Sequence, residues 1–411
     1  MNEICKDSNA LILIPRKVNI DKNNDFQEFN AKMIAKYFGV SHIFYFHDSI
    51  IINGIKDTED EITDIVRDND ISIIFFAPGG SDYGLPISFF KRQKDRATVK
   101  NVLWVLDDEM IFDTLSKYYC QVFDAVVTCD YYATFAYQKL GIPSLYYFSS
   151  YSKDVFHPVD INKDIDVSFV GDRTKCDRSE YIDFLKKNGV NVKTFGNGSE
   201  KGFVKKKELS EIFSRTKINL NFTKVDKPSV YAWFLHDNPI LHLVRQNKGR
   251  PMEVAMTNSF CLSEYSPSLA VTFETGTDLD VFNDKADLLK KARFYLKNED
   301  IRIKMAGNAY KKAVNIYEAD IFIPQLLEKL CGILTSYKHL QKNTGIYINS
   351  IFKKNHIDKL TSTMFCQTLK LRFRPAFETF TYLFQYGLCV FMFSFFRGIK
   401  RGLVRLYNSM N

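Results

Sequence analysis

Short apolar runs alternate with amphipathic stretches of helical periodicity along residues 10–156, and this alternation constrains the fold more than any other feature of the chain. The apolar runs are four to eight residues long, as expected of strands buried on both faces. Such alternation predicts a parallel sheet covered by helices, with the functional loops at the carboxyl ends of the strands. The predicted strands are 10–14, 43–46, 71–76, 99–106, 125–128 and 144–147, and the predicted helices lie near 25–38, 58–69, 111–121 and 130–140.

Two predicted strand ends in this region carry candidate functional residues. Gly79, Gly80 and Ser81 follow one strand, and glycines let a ligand approach the backbone closely, so this loop is a candidate acceptor site or an ordinary flexible loop. Asp107 and Asp108 follow another strand, with Glu109 next to them. A carboxylate there can deprotonate an acceptor hydroxyl as a catalytic base, or it can cap the following helix.

A second strand and helix pattern begins after a linker at about 151–165. A strand at 166–170 delivers Gly171 and Arg173, and Arg178 starts the next helix. A glycine at a strand end lets the backbone approach a diphosphate, and either arginine can neutralise it.

Residues 249–265 read as a short helix followed by a buried strand. Pro251 suits the first helical turn, Glu253 carries the charge that the helix dipole favours there, and Asn258 can adopt the left-handed conformation that ends a helix. An ionised Glu253 can accept two hydrogen bonds from a vicinal diol, or it is simply a first-turn carboxylate. Arg250 lies beside it, and nearby cations that can gather around phosphates are Lys224, Lys227, Arg245 and Lys248.

This stretch, with Arg250, Glu253 and the Phe260-Cys261-Leu262-Ser263-Glu264-Tyr265 strand, resembles a block of group 1 glycosyltransferases, particularly their CgeB-like branch. The resemblance covers about residues 70–332. It implies the GT-B fold, an α/β architecture of two Rossmann-like domains with a cleft between them. It further implies that Glu253 binds the ribose of a nucleotide-sugar donor and that Arg250, Gly171, Arg173 and Arg178 lie near the donor, while the first domain binds the acceptor.

The chain departs from the family pattern at two points. Asn258 and Ser259 stand where the family has glycines, and Arg245 stands where many retaining relatives carry a further glutamate. These departures motivate an alternative, a catalytically silent GT-B-like scaffold on a membrane. A nucleotide-sugar epimerase is a third reading, since it shares the fold but needs no acceptor.

The composition argues against a metal or a resident cofactor. The eight cysteines include no Cys-x-x-Cys pair and Asp107-Asp108-Glu109 is not an Asp-x-Asp motif, so we expect inert thiols in a reducing cytosol and a metal-independent reaction. No secretory signal precedes the first predicted strand.

The basic charge of the chain lies in its tail. Residues 336–411 contain twelve Lys or Arg against two acidic residues, so this tail carries +10 while residues 1–335 carry −2 of the net +8. We therefore expect no nucleic-acid partner, but an anionic membrane surface bound through 336–411. Within the tail, the uncharged apolar run at 380–396 has basic residues on both sides, which favours an interfacial anchor over a spanning helix; the alternative is a helix buried against protein.

The sequence thus predicts an N-terminal acceptor domain (1–155), a donor domain (156–335) and a basic, apolar helical extension (336–411). We expect a glycosyltransferase that moves a sugar from a nucleotide-sugar to a glycan or lipid-linked acceptor, in cell-surface polysaccharide or glycolipid synthesis. We expect it in the cytoplasm, peripheral on the inner face of the plasma membrane.

Overall fold

A computed structural model describes residues 8–16, 26–78, 84–95, 99–148, 150–225, 243–336 and 346–384, and beyond them 387, 392 and 395–397. Its described residues contain two separate parallel sheets, one of six strands and one of five. Helices connect the strands of both sheets, as the α/β prediction requires. The predicted two-domain α/β architecture is confirmed.

The first domain is built on the six-stranded sheet. Its strands are β1 (Asn9–Ile14), β2 (Ser41–Tyr45), β3 (Ile71–Phe76), β4 (Lys100–Val105), β5 (Ala125–Thr128) and β6 (Ser144–Tyr146), in the spatial order β2-β1-β3-β4-β5-β6. All neighbouring pairs are parallel; Phe76 of β3, for example, pairs with Leu103 of β4. Both of these side chains are fully buried, because helices cover both faces of the sheet.

Helices of the first domain include two that the sequence pattern did not predict. The helices are α1 (Phe26–Ala35), α2 (Phe46–Asn53), α3 (Ile55–Asp68), α4 (Ile87–Asp95), α5 (Asp108–Ile111), α6 (Lys117–Tyr119) and α7 (Tyr131–Lys139), with a π-helical turn at Phe112–Ser116 and a 3₁₀ turn at Cys120–Val122. The unpredicted helices are α2 and α4. In α2, the β-branched run at 50–52 favours a strand, but burial of Phe46 and Ile50 against the sheet overrides that preference.

The second domain is built on the five-stranded sheet, whose neighbouring strands are also parallel. Its strands are β7 (Ile165–Val170), β8 (Val192–Phe195), β9 (Thr216–Asn221), β10 (Cys261–Glu264) and β11 (Asp280–Phe282), in the order β11-β10-β9-β7-β8. Its helices are α8 (Arg178–Lys187), α9 (Leu209–Arg215), α10 (Arg250–Met256), α11 (Leu269–Thr272), α12 (Lys285–Lys297) and α13 (Glu299–Asn315). Asn258 has φ 51°, so it takes the left-handed conformation predicted after α10.

The next helix, α14 (Ala319–Ser336), returns from the second domain to the first. Its buried side chains, among them Ile323 and Leu327, share one apolar cluster with Ile12 and Trp104 of the first sheet. At the first residue of α14, the amide of Ala319 donates to the carbonyl of Tyr151 at 3.1 Å, so the two segments that connect the domains lie side by side.

The C-terminal extension contains two helices, α15 (Ser350–Leu369) and α16 (Phe373–Phe384), that pack on the first domain. Leu360 of α15 and Leu383 of α16 are fully buried in the same cluster as Phe46 of α2. The Gln367 side chain donates to the Ile50 carbonyl at 2.7 Å, which joins α15 to α2. In the predicted anchor at 380–396, α16 continues to Phe384; of the remainder only 387, 392, 395 and 396 are described, the last three of them as helical, and the other residues lie outside the described residues.

Among the residues that the structure describes, no helix combines the length and the apolar character needed to cross a membrane.

Candidate functional site between the two domains

The two domains meet where β4 ends and where residues 243–249, here called the crossing segment, lead into α10. The crossing segment is held to its own domain by the amide of Gln246, which donates to the Thr223 carbonyl at 2.8 Å. The next amide, of Asn247, donates to the Glu109 carboxylate of the first domain at 2.7 Å. One short piece of backbone therefore ties the end of β4 to the second domain.

Asp107 and Lys248 are linked through the side-chain amide of Gln246. The amide nitrogen of Gln246 donates to the Asp107 carboxylate, and its oxygen accepts from the Lys248 ammonium. Burial raises the pKa of Asp107, while the positive charges of Lys248 and Lys175 oppose that rise. Burial lowers the pKa of Lys248, and Asp107 and Glu109 counteract this shift. Acid and base thus lie in one desolvated group that spans the cleft.

Glu109 and Asp130 add negative charge to this group. Burial raises the pKa of Glu109 well above its ordinary value, and the charge of Asp130 raises it further. Asp130 follows β5 and accepts a hydrogen bond from the Ser268 hydroxyl of the second domain at 3.1 Å. Beside them, the Tyr146 hydroxyl bonds to Thr272 at 3.2 Å, which is a further contact between the domains.

Asp108 turns away from the cleft. Its carboxylate accepts from the hydroxyl of Tyr137 at 2.8 Å, and its side chain is buried inside the first domain. Burial raises its pKa to about 6, against opposing hydrogen bonds from Ser116 and Thr128. Of the two carboxylates predicted as catalytic, only Asp107 therefore lies at the domain junction.

Glu253 lies in the first turn of α10, as predicted, with Pro251 in the same turn. It is buried and forms an ion pair with Arg250, whose guanidinium also lies 5.0 Å from the centre of the Phe213 ring. Burial raises the pKa of Tyr151 well above its ordinary value, and the charge of Glu253 and a hydrogen bond to it contribute. Glu253 therefore already has two protein partners, one from its own helix and one from the linker.

Gly171 is packed against the loop after β8. Its amide donates to the Phe195 carbonyl at 2.9 Å. A Cβ atom on Gly196, which has φ 105°, would lie 2.4 Å from the Gly171 oxygen, so only glycine fits there. The two strand ends thus form one close backbone contact.

The two predicted diphosphate arginines differ in environment. Arg173 pairs with Asp183 of α8 at 2.5 Å and so is directed toward its own domain. Arg178 donates to the Asp172 carbonyl at 2.9 Å, and its charge helps to lower the pKa of Lys248. Arg178, Lys175 and Lys248 therefore form a cationic group at the cleft, which Arg173 does not join.

Of the other cations predicted to gather around phosphates, Lys224 and Arg245 lie within the described residues. The Lys224 ammonium pairs with the carboxylates of Asp177 at 2.6 Å and of Glu264 at 3.3 Å. The backbones of Lys224 and Arg245 pair as a single antiparallel β-bridge. Gly79, Gly80 and Ser81 of the predicted acceptor loop, and also Lys227, lie outside the described residues.

A pocket opens in the first domain between α1 and the ends of β1, β3 and β4. It contains about 280 Å³ of unfilled space, part of it open to solvent. Its lining is largely apolar, with Phe75 and Trp104 from the sheet, Leu106 from just after β4, and the amides of Gln27 and Asn30 from α1. Leu106, which lines this pocket, directly precedes Asp107 of the polar cluster in the chain.

Solved structures of known proteins share the two-domain fold of this chain. The sucrose-phosphate synthase of Thermosynechococcus elongatus superposes with a TM-score of 0.57 at 8% identity, over 80% of this chain and 100% of its own. HepE from Anabaena, in complex with UDP, superposes with a TM-score of 0.54 at 9% identity, over 79% of this chain and 100% of its own. This chain has the GT-B fold.

A family model and a further solved structure also match this chain. Residues 173–328 match the model of a family described as glycosyl transferase-like. A glycosyltransferase from Rickettsia africae superposes with a TM-score of 0.57 at 11% identity, over 80% of this chain and 100% of its own. No curated protein sequence matches the chain significantly.

Sequence reasoning missed several residues at the domain junction of this GT-B fold, among them Gln246, Asn247, Tyr151, Lys175 and Asp130. The first two are uncharged and match no motif, and their partners Asp107 and Glu109 are well over a hundred positions away along the chain. Lys248 was a candidate because of its charge. The one sequence signal for these partners was the run of three carboxylates at a strand end, because buried carboxylates need hydrogen-bonding partners.

Proposed function

We propose that this protein is a group 1, CgeB-like glycosyltransferase that moves a sugar from a nucleotide-sugar donor to a glycan or lipid-linked acceptor. The observation that carries the proposal is the desolvated cluster at the domain junction, where the Gln246 side chain links Lys248 of the second domain to Asp107 of the first and the charge of Arg178 acts on Lys248. A transferase of this fold needs cations for the leaving diphosphate and a carboxylate for the acceptor hydroxyl in the same cleft.

The donor binds the second domain in this proposal. Glu253 accepts hydrogen bonds from the ribose hydroxyls, because a carboxylate has about four acceptor positions and its pairs with Arg250 and Tyr151 use only some of them. Gly171 allows a close approach of the diphosphate to the backbone. The comparison with HepE supports this choice of ligand, since HepE has been crystallised with UDP and with UDP-glucose.

The chemistry follows from the charges. As the glycosidic bond to the diphosphate breaks, negative charge grows on the leaving oxygen, and the cations of Lys175, Arg178 and Lys248 stabilise it without a metal ion. In an inverting reaction, Asp107 takes the proton from the attacking hydroxyl, and its raised pKa makes it a stronger base. Asp108, bonded to Tyr137 inside the domain, supports the loop and does not contact substrate.

The acceptor binds the first domain beside Asp107. The apolar pocket that includes Trp104 and Leu106 supports an acceptor with an apolar part, as in a lipid-linked glycan of surface polysaccharide or glycolipid synthesis. The basic tail supports a cytoplasmic protein that is peripheral on the inner face of the plasma membrane.

The test is the release of nucleotide from a panel of donors, with and without extracted lipid-linked glycans: a nucleoside diphosphate from UDP-, GDP- and ADP-linked sugars, and CMP from CMP-linked sugars. We expect the wild type to turn over one donor class, and Lys248→Met to lose about 100-fold in rate, as removal of one transition-state charge partner does. Lys304→Met, at an exposed position on α13, is the matched control and should retain full activity. Wild-type protein that releases no nucleotide from any donor, or Lys248→Met at the wild-type rate, would overturn the proposal.

A second candidate, a catalytically silent scaffold, is favoured by the pairing of Glu253 with Arg250 and by Asn258 and Ser259 in place of glycines. The two candidate functions predict different cellular phenotypes for a Glu253 variant. Replacement of Glu253 by Ala abolishes the phenotype of a transferase but leaves that of a scaffold intact, provided the variant accumulates to the wild-type level.

A further inference from the structure

Large apolar side chains are exposed where α15 turns into α16. The exposed fractions are 83% for Leu369, 73% for Leu371, 63% for Phe373 and 68% for Phe377. Scattered exposed apolar residues are common on protein surfaces, but here four large ones lie within nine consecutive residues. The concentration indicates a surface that binds something apolar.

The orientation of α16 explains why these rings face outward. Ala376, Thr379 and Leu383 are buried against the first domain. Phe373, Phe377 and Phe384, at helical spacing, lie on the opposite face and are exposed. The outward side of α16 therefore carries an apolar stripe in which Phe373 and Phe377 are mostly exposed.

Cations alternate with the apolar residues of this turn. Lys370, Arg372 and Arg374 are all exposed and stand between Leu369, Leu371, Phe373 and Phe377 in the sequence. The nearby acids are engaged: Glu378 accepts from the amide of Lys56 at 2.6 Å, and Asp57 pairs with Arg374 at 3.1 Å. The turn keeps an excess of positive charge.

Leu371 adopts an unusual backbone conformation. Its φ is 58°, in the left-handed region that Gly and Asn enter readily and that costs other residues about 1 kcal/mol or more. This strained position holds a leucine that is mostly exposed. Neither burial nor backbone preference explains a leucine here, whereas contact with an external apolar phase does.

We propose that this surface, defined by Leu369, Lys370, Leu371, Arg372, Phe373, Arg374 and Phe377, binds an anionic lipid bilayer. Apolar side chains enter the boundary between headgroups and acyl chains, and the interleaved cations pair with lipid phosphates. A protein partner fits this surface less well. The centre of a protein interface is depleted of charged residues, lysine above all, whereas here a cation directly follows each of Leu369, Leu371 and Phe373. The inference extends the membrane location proposed above and does not depend on transferase activity.

The test is co-flotation of the full-length protein with vesicles of neutral phosphatidylcholine, alone or with 30% (about one lipid in three) phosphatidylglycerol. We expect wild-type protein to float with the anionic vesicles. Lys370→Gln with Arg372→Gln should weaken anionic binding about 25-fold, at about fivefold per cation. Leu371→Ser with Phe377→Ser should weaken it at least about tenfold by loss of apolar contact.

Matched controls lie on α13, where Ile303, Lys304 and Lys311 are exposed. Ile303→Ser, and Lys304→Gln with Lys311→Gln, should bind vesicles like the wild type. The proposal is overturned if wild-type protein ignores anionic vesicles, if the turn variants bind as tightly as the controls, or if the turn variants instead dissolve a dimer of the wild type. Nucleotide release measured on the same preparations separates this result from the transferase proposal, since none of these residues lies at the domain junction.

Discussion

The backbone amide of Asn247 donates a hydrogen bond to the Glu109 carboxylate at 2.7 Å, across the boundary between the two domains. With the adjoining contact of Gln246 to Asp107, it fixes the end of β4 against the crossing segment. The carboxylates that end a strand of the first domain are thus held by uncharged groups of the second, and their protonation depends on how the domains meet.

Replacement of Gln246 by Ala should shift the pH dependence of turnover. The Gln246 hydrogen bond lowers the pKa of Asp107, so its removal raises that pKa further. A base must be deprotonated to act, and therefore the acidic limb of the pH profile of kcat/KM should move to higher pH. Gln138→Ala, at an exposed position on α7, is the control. Identical acidic limbs in both variants would show that Asp107 is not the titrating base.

Asp108→Asn should change how stability depends on pH. Burial raises the pKa of Asp108 to about 6 from an ordinary value of 3.8, so folding favours the protonated form. Its stabilising contribution is present below pH 3.8 and is lost as the pH rises through about 6, a change of about 3 kcal/mol. The variant has no such titration but keeps an acceptor for Tyr137. Relative to wild type, its free energy of unfolding in urea should therefore rise between pH 4 and pH 7; parallel curves would contradict the assignment.

Gly196→Ala should destabilise the protein more than Gly189→Ala. Both glycines have positive φ, 105° and 79°, so each substitution costs about 1 kcal/mol in backbone strain. Only at Gly196 would the new Cβ atom meet backbone, at 2.4 Å from the Gly171 oxygen, whereas nothing lies within 4 Å at Gly189. Equal losses in the free energy of unfolding would mean that the contact of Gly196 with Gly171 is not tight in solution.

Leu371→Gly should stabilise the protein while it weakens membrane binding. Glycine removes the strain of the left-handed conformation, a gain of about 1 kcal/mol, but it also removes an exposed apolar side chain. The control is Leu369→Gly at the end of α15, which should lose about 0.5–1 kcal/mol, as glycine in a helix does. Urea denaturation and vesicle flotation measure the two effects, and a Leu371→Gly variant less stable than wild type would refute the strain argument.

Much of the fold was predictable because its signals are local. The strands of the first sheet, β7 and β10 of the second, the start of helix α8 and the left-handed Asn258 after α10 follow from apolar runs, a capping pattern and turn chemistry within a few residues. Helix α2 was missed because its β-branched residues favour a strand, and only packing on the sheet decides the outcome.

The site was predictable only in part. Glu253 was found because a first-turn carboxylate beside proline is a local pattern, and Asp107 because it ends a strand. The opposite directions of Asp107 and Asp108 depend on Tyr137 and Gln246, which come from distant parts of the chain. Such long-range partners leave no periodic trace in a single sequence.

The central claim, a nucleotide-sugar site built on Glu253, is tested most directly by calorimetric titration of the protein with UDP, GDP, ADP and CMP. We expect one nucleotide to bind the wild type and to bind Glu253→Gln about 10- to 100-fold more weakly, because a charge-assisted hydrogen bond contributes about 1.5–3 kcal/mol. Glu274→Gln, at an exposed position of the same domain, should bind like the wild type. Absence of binding by every nucleotide, or an unchanged affinity in Glu253→Gln, would contradict the account.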